Sequence, residues 1–252
     1  MENRTRLVIA GCILIFIIMN YFNTNSSSDV KYEKTPVDNI ITNLSNENNY
    51  SIILSDMDNR NSRYYHKYST IIEKPDTVLV DSTVWIKVSD IFFDANINNL
   101  GMAIVTKKDG KLSKVASPAG YDNFVGNKKY GRWVDRNGGS FWRFYGQYAF
   151  MSSMFNMTAY PARRSYWNDY RSGGYYGIRP YYGPSGRAYG TQSYTRRGSG
   201  KNTTWASKSS SFKNKVRSKV SRSANQSKSR ISRNSSRYSS NSSRSRSGGF
   251  GK

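Results

Sequence analysis

Apolar residues in this chain change their spacing several times, and each change predicts a different element. Leu7 to Phe22 is a near-continuous apolar run of 16 residues behind Arg4 and Arg6. That is just short of the ~17–25 residues a helix uses to cross a bilayer core. Asn23 to Thr35 is rich in Asn and Ser and reads as a linker. Val37, Ile40, Ile41 and Leu44 then fall at the i, i+3, i+4, i+7 spacing of one buried face, so Pro36 to Asn46 is predicted to be a helix. After it the period shortens. Tyr50–Met57 and Tyr64–Glu73 are β-rich runs on either side of the turn cluster Asp58–Asn61, which predicts a hairpin. Val78–Phe93 is apolar and β-branched and reads as strand. Leu100–Val105 and Leu112–Val115 flank Asp109-Gly110, a strong hairpin signal. One helix followed by antiparallel strands predicts a small α+β domain over residues 36–116.

Residues 117–159 form an aromatic block, with eleven rings between Ser117 and Phe155. Gly120, Gly126, Gly131, Gly138 and Gly139 punctuate its first half. Ser140 to Phe155 reads as a helix apolar on most of its circumference, to be buried against the α+β domain or in the membrane interface. Trp133, Phe141, Trp142 and Tyr145 are the expected partner surface for an unidentified protein. Beyond Tyr160 the periodicity fades into nine Tyr interleaved with Gly, Arg and Pro, and from Thr195 into Ser, Arg and Lys. Such composition cannot bury enough apolar area to offset chain entropy, so residues 160–252 are expected to be a disordered tail. One period survives there. Phe212, Val216, Val220 and Ala224 recur every fourth residue among Lys213, Lys215, Arg217, Lys219 and Arg222, the pattern of a basic amphipathic helix on an anionic surface.

Charge divides the chain in the same place. Residues 1–159 carry 18 Lys and Arg against 15 Asp and Glu, a net +3, while residues 160–252 carry 21 against the single acid Asp169, a net +20. A segment of that kind, continuing through Arg230 and Arg233, binds polyanions by releasing their counterions. Outside the cytoplasm its partners would be anionic lipid or envelope polymers, and inside it nucleic acid. With one cysteine, Cys12, and one histidine, His66, no disulfide framework, metal site or cofactor is predicted.

Catalytic groups do not assemble in the sequence. Asp56-x-Asp58 beside Asn59 and Asn61 reads as turn chemistry rather than a metal or sugar-nucleotide motif. His66 reads either as a general base or as a ring on a tyrosine-rich strand. Gly126-Asn127-Lys128-Lys129 lacks the spacing of a phosphate loop. Gly138-Gly139-Ser140 reads as an anion-binding helix start or an ordinary N-cap. The expectation is a protein without enzymatic activity.

For residues 1–22 the first reading is an uncleaved signal anchor, single-pass in the inner membrane, with the amino terminus inside and the body outside. A cleaved signal ending near Ser26 and Ser28, and a lipoprotein-like box at Ile9-Ala10-Gly11-Cys12, are the alternatives. The block PAGYDNFVGNKKYGRW, the run GGSFWRFYGQYAFMSSMF, the segment YPARRSYWNDYRSGGYYG and the ending SRSRSGGFGK together resemble uncharacterised bacterial membrane-anchored proteins. The resemblance implies a bacterial envelope setting and adds no catalytic residue. The chain is thus expected to be an α+β protein with a membrane helix, a small antiparallel-sheet domain with flanking helices and a disordered basic tail. Its expected role is binding anionic surfaces at the envelope, the alternative being nucleic-acid binding in the cytoplasm.

Overall fold

The computed structural model describes residues 35–238, and their side chains as far as residue 228. The expected anchor at residues 1–22, the linker up to residue 34, and residues 239–252 lie outside the described residues. Helix α1 (Pro36–Asn43) has Pro at its first position, where the missing N–H is no loss, and turns Val37 and Ile40 inward. The hairpin foreseen next is present: β1 (Tyr50–Arg60) and β2 (Arg63–Glu73) close at Asn61 and Ser62, whose φ of 49° and 63° match the right-handed strand twist. The apolar run after it is not one strand. It divides into β3 (Val78–Ser82), β4 (Ile86–Val88) and α2 (Asp90–Asn96). Thr83 interrupts the strand because both its N–H and its hydroxyl bond the Tyr68 backbone, and Ser89 caps α2 by accepting from the Phe92 N–H. Strand β5 (Met102–Lys108) lies beside β1 and turns through Asp109-Gly110 into β6 (Lys111–Ser113), and β7 (Ser117–Pro118) also pairs with β5. The seven strands form one antiparallel sheet in the order β3-β2-β1-β5-β6, with β4 on β2.

The helix expected from Ser140 is a strand instead. β8 (Gly131–Arg136) and β9 (Gly139–Phe144) make a second, two-stranded sheet, with Trp133 opposite Trp142. Asn137-Gly138 decides this, since both residues have positive φ and close a two-residue hairpin turn. Along β9 Trp142 and Phe144 then point inward while Arg143 points out. Of the expected helix, only α3 (Phe150–Met154) is helical, after a 3-10 turn at Gly146–Tyr148.

Residues 160–228, expected to be disordered, are folded. They contain α4 (Arg164–Ser172), α5 (Thr191–Tyr194), α6 (Thr204–Ser207) and the first part of α7 (Ser210–Tyr238). Tyrosine explains much of the difference. Tyr170 and Tyr181 bury their rings against the aromatic block, and their hydroxyls reach the carboxylates of Asp122 at 2.5 Å and Asp169 at 2.7 Å. Large rings satisfied at their polar tip contribute burial without any local apolar period.

The main sheet is covered on both sides. Ile52 and Leu54 of β1 point into a core completed by Val37, Phe93, Trp205, Val216 and Val220, whereas Ile53 points into one built from Tyr121, Phe124, Tyr130, Trp142 and Phe144. Three layers result: α1, α2, α6 and α7, then the sheet, then the aromatic block. Asp56 ties β1 to α6. Its carboxylate accepts from the backbone N–H of Thr204 at 2.7 Å and Trp205 at 3.2 Å, capping α6 from 148 residues away. Asp56→Ala is expected to cost about 1–2 kcal/mol, read as a lower denaturant midpoint at unchanged slope, with Asp56→Asn losing less because it keeps an acceptor.

Candidate anion-binding surface

The amphipathic helix foreseen at Phe212–Ala224 exists, but it lies on its own protein. Val216, Val220 and Ala224 are buried and Phe212 is half-buried, so the apolar ridge of α7 is taken up by the first core and by α2. Asp90 of α2 fixes the contact by accepting hydrogen bonds from the hydroxyls of Ser223 and Ser227 on α7. The cations are left outward. Lys215, Lys219 and Arg222 are exposed, at the i, i+4, i+7 spacing of a single stripe. Lys219 donates to the Ser62 hydroxyl at 2.7 Å and Arg222 to the Ser218 carbonyl at 3.1 Å, contacts that position the side chains without neutralising them.

Lys213 and Arg217 are half-buried beside this stripe. Lys213 donates to the Ala206 carbonyl at 2.9 Å and Arg217 to the Asn98 side-chain oxygen at 2.8 Å. Burial lowers both pKa values, and for Lys213 the neighbouring Arg217 guanidinium adds to the effect. Such groups are short of solvation and of countercharge, and an anion placed against them supplies both. Among the described residues none of these five cations is in an ion pair. Arg230 and Arg233 continue α7, their side chains lying outside the described ones.

The expected partner surface is only partly a surface. Trp142 is in the second core, and Trp133 and Phe141 are half-buried, Trp133 between the rings of Trp142 and Trp167 at 5.1 and 5.7 Å. Only Tyr145 stands out in solvent. Rings that close-pack on each other make core, whatever their number in the sequence.

The remaining candidates fall into structural places. His66 is fully buried, with Nδ1 3.0 Å from the Tyr68 hydroxyl, the Phe93 ring stacked at 5.1 Å, and no partner at Nε2 among the described residues. Desolvation pushes its pKa down to about 3, so the imidazole is neutral. Asp56 caps α6, and Asp58 accepts from Arg60 at 2.6 Å and pairs with Lys208 at 3.2 Å, so both acids sit within β1 rather than in the turn after it. Gly126 to Lys129 lies in a turn, with Lys129 paired to Glu73 at 3.3 Å. Ser140 sits on β9 and caps no helix. Among the described residues no cluster of three or more His, Cys, Asp or Glu is placed to hold a metal ion, and no helix is long and apolar enough to cross a membrane.

A second basic site was not foreseen. Four arginines, Arg163, Arg187, Arg196 and Arg197, line one cleft of about 350 Å³ together with Tyr166 and Tyr189. No acidic residue lines it. All four arginines lie in the stretch read as low-complexity tail, where only the Arg163-Arg164 and Arg196-Arg197 doublets hinted at local clustering. No protein-family model matches this chain, and neither a curated protein nor a solved structure does. The fold and the two basic surfaces therefore rest on this chain's own residues.

Proposed function

We propose that this protein is a non-enzymatic, membrane-tethered envelope protein that holds anionic polymers or lipid headgroups on the outer face of α7. The observation that carries the reading is the docking of α7. With Val216, Val220 and Ala224 turned into the protein, Lys215, Lys219 and Arg222 stand on a fixed face spanning about 10 Å of helix. A rigid stripe of charges loses less side-chain and backbone entropy on binding than the same charges in a flexible tail. The apolar run at Leu7–Phe22 supplies the proposed tether, with the body outside the cytoplasm.

The test uses the full chain with three probes at matched salt: phosphatidylglycerol vesicles, poly(glycerol phosphate) and duplex DNA. The triple variant Lys215→Gln, Lys219→Gln, Arg222→Gln is expected to bind all three at least tenfold more weakly, and to lower the log–log salt slope on duplex DNA by about 2–3. Unchanged binding would remove α7 as the contact. Alkaline phosphatase, active only outside the cytoplasm, is expected to be active when fused after Lys252. Its inactivity would place α7 inside the cell and favour nucleic acid as the ligand.

A further inference from the structure

The arginine cleft is built from three stretches of chain, each held by contacts of its own. Arg163 follows Ala162, whose carbonyl accepts from the Trp142 N–H at 2.9 Å, and its guanidinium lies over the Phe141 and Tyr166 rings at 5.5 and 5.8 Å. Arg187 sits on the turn in which the Ala188 N–H donates to the Tyr182 carbonyl at 2.8 Å. Arg196 and Arg197 follow α5 at a corner anchored by buried Asn156. The Asn156 amide donates to the Arg197 carbonyl at 3.1 Å, and its side-chain oxygen accepts from the Ser199 N–H at 3.1 Å. Gly198 at this corner has a φ of +66°, and a Cβ there would collide with that same Asn156 oxygen.

Four guanidiniums around about 350 Å³ repel one another, and among the described residues none of the four is in an ion pair. All four are exposed, so solvent and salt screen part of this repulsion, and an anion held among them relieves it further. Guanidinium rather than ammonium narrows the choice. Its planar fork bonds two oxygens of one tetrahedral or trigonal oxyanion at once, and four such forks favour an anion of more than one charge. Tyr189, whose hydroxyl is hydrogen-bonded to the Tyr121 hydroxyl, lines the same space. Burial pushes its pKa up to about 12, which keeps it protonated at neutral pH.

We propose that this cleft, formed by Arg163, Arg187, Arg196 and Arg197, is a discrete binding site for a multiply charged phosphate group, a phosphate monoester or a pyrophosphate. It shares no residue with the α7 stripe and stands whether or not that stripe binds polymers. The space, about 350 Å³, is on the scale of a small-molecule site rather than of an extended polymer track.

The experiment is calorimetric titration of the full chain with pyrophosphate, inorganic phosphate and sulfate at constant ionic strength. Pyrophosphate is expected to bind saturably at one site, at least tenfold more tightly than sulfate. The double variant Arg196→Gln, Arg197→Gln is expected to lose at least tenfold in pyrophosphate affinity, and Arg187→Gln, on an exposed turn with no packing role, at least threefold. The α7 triple variant removes comparable charge elsewhere and is expected to leave the affinity within twofold. Equal binding of sulfate and pyrophosphate would overturn the proposal. Equal weakening by the cleft and α7 variants would overturn it too, because it would show long-range charge rather than a site.

Discussion

Trp205→Ala is expected to destabilise the protein by about 3–5 kcal/mol and to release α7. Trp205 is almost fully buried, between the Phe93 ring at 5.9 Å and the Phe212 ring at 6.5 Å, in the core that β1 shares with α7. Truncation removes the indole's buried area and leaves a cavity that the sheet, held in register by its ladder bonds, is poorly able to close. A domain commonly holds only ~5–15 kcal/mol in total, so the loss is a large share of the whole. Two measurements check it. The denaturant midpoint should fall steeply, and trypsin should cut rapidly at Lys208, Lys213 and Lys215, which the docked helix protects. Trp205→Phe should retain most of the stability. A tail independent of the fold would show neither effect, and that result would refute the layer of helices described for this face.

The second large effect is on acid stability. Lowering the pH from 7 to 5 is expected to cost about 2 kcal/mol, nearly all of it through His66. Burial lowers the folded imidazole to about 3, whereas the unfolded chain titrates near ~6.5. Between those values the unfolded state binds a proton that the folded state refuses. Stability is therefore fully present above the unfolded value and falls as the pH drops toward the folded one. Any folded pKa below about 4 gives the same loss at pH 5, and His66 is the chain's one histidine, so the window isolates it. His66→Phe is expected to flatten the pH 5–7 slope. It strands the Tyr68 hydroxyl but also removes an Nε2 that has no partner, so the variant should fold. A slope that persists in this variant would mean that other groups carry the acid sensitivity.

What could be read from the sequence was what is decided locally. The α1 face, the β1–β2 hairpin and the Asp109-Gly110 turn each follow from residues within a few positions of one another. Misreadings arose where an ambiguous run is decided by the turn beside it, or where a partner from far away decides the outcome. The aromatic run at Ser140–Phe144 suits a helix or a strand equally, and only the Asn137-Gly138 turn before it settles which forms. The stretch beyond Tyr160 has no periodic apolar face because its burial is spread over single rings, Tyr170, Tyr181 and Trp205, each seated against an element distant in the chain. The α7 cations were found because they share a helix with an apolar ridge. The cleft arginines were missed because they converge from three separate stretches of chain, and no spacing along the chain encodes that.

Asp56 capping α6 across 148 residues has a consequence for how the chain is made. A ribosome delivers the sheet's strands through Val105 about 100 residues before Trp205 leaves the exit tunnel, an interval of roughly 5–20 s at ~5–20 residues per second. Throughout it, the part of this face that α6 and α7 will cover, with Ile52 and Leu54 on the sheet and Phe93 on α2, stays wet and open to other nascent chains. A premature stop shortly before codon 205 would make that interval permanent. Such products should accumulate as aggregates or bound to holding chaperones, and never as a shorter soluble form of the protein.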